Sequence, residues 1–197
     1  MLHIEGNGAI KGLAITASVL AALAAASSRR AMAQPPNSNP SAAPCSTVFC
    51  DVQNDWLRNN GMLGLTANAM PADKFNFKPT PAQQTFGERV LHAAIVDVEL
   101  LKTLGGKTPA PTIDKDATSK AASLAELKKA SDYGTALLKE FGATGINERV
   151  ASPPFMGPMS SRQRIFYFLM EHTQNVYGQL VVSLRLNGIV PPLSREP

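Results

Sequence analysis

The chain has 197 residues, a formal net charge of +4, 44% hydrophobic and 17% charged residues. That length suits one domain with a sizeable core. The basic residues are scattered rather than striped and have no aromatic interleaving, which argues against a nucleic-acid-binding function.

The first stretch reads as a secretory signal peptide. Lys11 precedes an apolar run from Gly12 to Ala26, and Ala31-Met32-Ala33 offers a small-x-small cleavage site before Gln34. The run is shorter than the roughly 20 apolar residues a membrane span requires, so no stable span is expected after processing. Removal of residues 1–33 lowers the net charge to +2, with 16 basic against 14 acidic residues. The expected location is periplasmic or extracellular. Residues 34–44, rich in Pro, Asn, Ser and Ala, read as a flexible lead-in, residues 45–192 as the domain and 193–197 as a tail.

Cys45 and Cys50 are the only cysteines. Within one helix their Cα atoms would be too distant to bridge, whereas with Cys45 ahead of the helix a disulfide is feasible in an exported chain. Two unpaired small apolar residues are the alternative, and both readings stay open here.

From Val48 to about Met70 the apolar positions Val48, Val52, Trp56, Met62/Leu63 and Ala67/Met70 follow a helical face, with a bend or fraying expected at Gly61 and Gly64. Pro71, Pro79 and Pro81 then exclude a continuous helix. Thr80-Pro81-x-Gln83 and Thr85-x-x-Glu88 are both capping-box patterns for a second helix ending at Gly105-Gly106, which puts Glu88, His92 and Glu99 on nearly one face. Lys107–Ala122 reads as a loop, and Ser123-x-x-Glu126 as the cap of a third helix ending at Gly142. Residues 143–160 read as an irregular crossover whose Phe155 and Met156 tuck against the core. The last helix starts near Ser160 or Ser161, carries Ile165, Leu169, His172, Val176, Leu180 and Leu184 as an inward seam, and closes at Asn187-Gly188 before Pro191-Pro192. Four such helices with no alternating β-branched run predict an all-α four-helix bundle. No Ser/His/Asp arrangement, phosphate-cradling glycine loop or four-ligand zinc spacing is present.

Three pieces occur in a telling order: Met70-Pro71-x-x-Lys74-Phe75-x-Phe77-Lys78-Pro79-Thr80-Pro81, then Thr85-Phe86-Gly87-x-x-Val90-x-His92, then His172-x-x-x-Val176-Tyr177-Gly178-Gln179-Leu180 running on to Pro191-Pro192. With the tryptophan-bearing first helix, they resemble the DinB-like superfamily, particularly its exported bacterial members. The resemblance implies an up-down-down-up bundle, a divalent metal held by three histidines, and a homodimer as a family-level expectation. His92 matches the first ligand, His172 the second, and the third position is Val176.

A valine cannot coordinate a cation, so the metal site is expected to be degenerate. A remaining zinc or nickel ion would need a carboxylate from Glu88, Glu99 or Asp55, since Glu171 lies about 100° around the helix from His172 and Asn175 is a poor ligand. The expected function is therefore non-catalytic binding of a small ligand or partner. The alternatives are a metal-dependent enzyme of the thiol-transferase or isomerase type, and general acid/base work by Glu88 or Glu99 beside His92.

Overall fold

The computed structural model describes residues 45–195; the signal-peptide and lead-in readings lie outside the described residues. Four helices carry the fold: α1 (Val48–Ala69), α2 (Phe86–Leu101), α3 (Lys120–Gly145) and α4 (Arg162–Leu186). α1 packs on α3 and α4, and α2 packs on the same two, so the helices stand at the corners of a square. Their directions follow from the contacts. Leu104 beyond the end of α2 meets Arg162 at the start of α4, which makes these two antiparallel. Trp56 meets Phe166 and Asn59 meets Gln174, so α1 and α4 run together. Gly87 faces Thr118 and Gly106 faces Leu137, so α2 and α3 also run together. The bundle is up-down-down-up, as predicted.

Trp56 centres the core. It is fully buried, stacks edge-on against Phe166 at 5.4 Å and donates its indole N–H to the Ser131 carbonyl at 3.2 Å. Burying so large a ring and giving its polar edge a partner satisfies both demands of a tryptophan interior. Around it lie Leu63, Leu101, Leu137, Leu138, Ile165 and Leu169.

Each long helix starts on a side chain that accepts an otherwise orphaned N–H: Thr47, Thr85, Ser119 and Ser161. Thr85 and Glu88 form a complete capping box, so the Thr85 pattern, not the Thr80 one, begins α2. One correction concerns α3. It starts at Ser119 rather than Ser123, which is buried inside the helix with its hydroxyl turned back on the Lys120 carbonyl. Its continuous run ends at Gly142 as predicted, where φ 61° and ψ -171° leave the helical region, and a further helical turn follows to Gly145.

α1 runs straight through Gly61 and Gly64, where a bend was expected. Both face open space, and the buried Leu63 and Ala67 hold the helix on its partners. The supposedly irregular crossover contains a short antiparallel hairpin, β1 (Arg149–Ala151) on β2 (Met159–Ser161), with Val150 opposite Ser160. Three-residue strands flanked by prolines leave too little alternation to be read in sequence. Met156 is buried as predicted, but Phe155 is 65% exposed and leans on Phe168. No helix among the described residues is long and apolar enough to cross a membrane.

Candidate functional site at the imidazole pair

α2 and α4 bring His92 and His172 together from residues 80 apart in the chain. Their Nε2 atoms lie 3.2 Å apart and the rings meet at 66°. The antiparallel packing of these helices produces the meeting, since positions that advance along α2 retreat along α4. Val176, one turn beyond His172, is buried in the core.

Both imidazoles sit below their usual pKa. Burial is the main cause for each; for His172, held at about 4, the neighbouring His92 and then Arg89 add to it, and for His92 the Arg89 charge does. At neutral pH both rings are therefore uncharged, and one Nε2–H donates to the other ring's Nε2 lone pair. His172 Nδ1 is buried with no partner. A bare lone pair there costs less than an orphaned N–H. On that argument His172 donates from Nε2, and His92 accepts and keeps its proton on Nδ1.

His92 also lines a cavity of about 510 Å³ with Lys78, Leu91, Ile95, Lys115 and Asp116. Glu88 of α2 lines it too, while Lys78, Lys115 and Asp116 come from the connections on either side of α2, where periodicity in the helices gave no hint of them.

The two imidazoles stand at the spacing that two corners of a tetrahedral zinc site would require, about 3.3 Å for bonds of about 2.0 Å. The rest of the donor set does not fit. Glu88 accepts the Thr85 N–H at 2.7 Å, and that backbone hydrogen bond, with the Thr85 hydroxyl, holds its carboxyl below the usual range. Glu99 pairs with Lys102 at 3.0 Å on the surface, and Asp55 with Arg58 at 2.9 Å. Asn175 accepts from Gln179, and Glu171 faces outward. None of the carboxylates proposed from sequence completes the pair, and no group of three or more His, Cys, Asp or Glu among the described residues could hold a metal. Glu88 is thus engaged in the helix cap and Glu99 in a surface ion pair.

Two groups escaped the sequence reading. Arg89, three residues before His92, carries the positive charge felt by both imidazoles. Its spacing of one helical turn was a usable signal. Asp97 is fully buried on α2 with neither carboxylate oxygen partnered, and burial pushes its pKa well above the usual range. Val90, Ala94, Asp97 and Leu101 form an inward i, i+4, i+7, i+11 stripe in which it is the one charged residue type. Cys45 and Cys50 form a disulfide just ahead of and within the first turn of α1, with Cα atoms 5.4 Å apart.

No curated protein matches this chain. Its fold is similar to that of a DinB-like protein from Bacillus cereus ATCC 10987, at 15% identity with a TM-score of 0.56, covering 72% of this chain and 93% of that one. A DinB-like protein from Bacillus subtilis is similar at 14% identity and a TM-score of 0.56, covering 74% of this chain and 99% of that one. The family profile described as the DinB superfamily matches residues 58–180, which take in α2 with His92 and most of α4 with His172 and Val176. On that match, the chain belongs to the DinB superfamily.

Proposed function

We propose that this protein is an exported, non-catalytic member of its family that binds a small polar ligand in the cavity floored by His92. One observation carries the reading: Val176 is buried on α4 where a third donor would stand beside the two imidazoles. A nucleophile-generating metal centre needs three protein ligands and an open position. Here two ligands remain, and the nearby carboxylates serve a helix cap and surface ion pairs. What is left is an imidazole edge among lysine, aspartate, glutamate and apolar side chains, a lining suited to orienting a polar molecule. The Cys45–Cys50 disulfide supports export, since such bonds persist chiefly in oxidising compartments.

The test is elemental analysis of the protein purified from the periplasm without an affinity tag. Trace metal, unchanged in His92→Ala, is expected. About one equivalent of zinc or nickel, lost in His92→Ala, would overturn the reading and restore the metal-dependent enzyme. Export is checked on the same material by its N-terminal residue, expected to be Gln34; recovery only of unprocessed chain in the cytoplasm would remove that part.

A further inference from the structure

Across the Gln83-Gln84 segment from the His92 cavity lies a second, smaller one of about 200 Å³, between the start of α2 and the end of α4. We propose that it is a binding site for a small monoanionic carboxylate with a short apolar body, anchored by Arg89.

The arginines of the described residues provide the first argument. Arg58, Arg149, Arg162, Arg164, Arg185 and Arg195 each donate side-chain hydrogen bonds to protein oxygens. Among the described residues Arg89 has no side-chain hydrogen-bond acceptor and no ion-pair partner, although it is half-buried. A guanidinium presents a fork of donors matched to carboxylate, and one left without a partner at the wall of a cavity is ready to take an anion.

The second argument is the lining. No carboxylate of the described residues lines this cavity; the adjacent Glu88 is already held by the Thr85 N–H. The remaining walls are Pro79, Phe86 and Val182 on the apolar side, with the Thr85 and Ser183 hydroxyls and the carboxamides of Gln83, Gln84 and Gln179 as neutral polar groups. The Ser183 hydroxyl already donates to the Gln179 carbonyl, so Arg89 is the strong donor here.

The third argument is size and charge. The volume lies below the roughly 300 Å³ at which pockets for drug-sized ligands begin, so the occupant is small. A single cation among otherwise uncharged walls matches a monoanion better than a phosphate dianion, which would draw on further positive groups; Lys78 and Lys115 line the other cavity. The α2 N-terminus contributes only its dipole, because the N–H groups of Phe86, Gly87 and Glu88 are already bonded to Phe77, Phe75 and Thr85. This site does not depend on the reading of the imidazole pair.

The test is isothermal titration of the full mature protein with hexanoate, hexanamide and inorganic phosphate as probes. Saturable hexanoate binding at about millimolar concentration or tighter is expected, with hexanamide and phosphate at least about tenfold weaker. Arg89→Gln should weaken hexanoate about tenfold or more, and Arg89→Lys by less. Thermal melts of each variant show that the fold is retained. Hexanamide binding as well as hexanoate, a folded Arg89→Gln variant with undiminished affinity, or no saturable binding would each overturn the proposal.

Discussion

A β-carbon placed on Gly134 would lie 2.2 Å from Cζ2 of Trp56, so the indole occupies the space that any other residue on α3 would need. The tryptophan is fully buried and pinned by its hydrogen bond to the Ser131 carbonyl, so it cannot swing aside without losing that partner. Gly134→Ala should therefore destabilise the fold by about 1–3 kcal/mol, the usual cost of overpacking, despite alanine's better helix propensity. Urea unfolding measures it; an unchanged or higher midpoint would show that α1 and α3 are free to part.

Asp97 and His172 impose opposite pH slopes on stability. The folded pKa of Asp97 lies above its ordinary 3.8, so the native state holds the extra proton and stability falls as pH rises from about 4 towards that folded value. His172 is depressed from 6.5 to about 4, so the unfolded state holds the extra proton and stability falls as pH drops through that window. After allowance for its partial exposure, the imidazole contributes about 1–2 kcal/mol across the interval. Between pH 4 and 6.5 the wild type should show these slopes partly cancelled. Asp97→Asn should leave a rise with pH, and His172→Leu a decline of up to about 1.4 kcal/mol per unit. Chemical unfolding at a series of pH values distinguishes them, and parallel curves for all three proteins would refute both assignments.

Val176→His offers a direct gain-of-function test. The new imidazole would stand one turn from His172, on the same side of α4. Expected are a loss of about 1–3 kcal/mol in metal-free stability from enlarging a core residue, and uptake of about one zinc ion that raises the melting temperature with zinc concentration. Metal analysis after dialysis reads the outcome. Failure of the folded variant to take up zinc would mean that position 176 does not converge with the pair.

Reduction of the Cys45–Cys50 disulfide should be mild. The closed loop is so short that the chain-entropy model assigns it about 2 kcal/mol at most. Melting with and without reductant should differ by a few degrees, with α2, α3 and α4 unaffected in hydrogen exchange. A collapse of the whole fold on reduction would contradict this.

Four helices, their order and the inward seam of α4 were legible because each carries a 3.6-residue apolar stripe between clear stop signals. The meeting of His92 and His172 was legible only through the resemblance, since nothing in either helix states which other helix it faces. The fate of Glu88 had two answers in sequence: Thr85-x-x-Glu88 marks a cap, and Glu88 with His92 marks a ligand pair. Geometry chose the cap. Arg89 and the cavities were harder to see because their remaining walls are set by proline-rich connections, whose path depends on what they pack against. The β1–β2 hairpin was missed for the same reason.

The capping box of α2 also bears on how this bundle could change. Glu88 accepts the Thr85 N–H through one oxygen, and that bond fixes where its carboxyl stands. Any descendant that turned the carboxyl away to ligate a cation would weaken the first turn of the helix that positions His92 and Arg89 alike. Chemistry at the imidazole pair is thus more easily regained from α4, at position 176, than from the acidic residue that lies nearer in the chain.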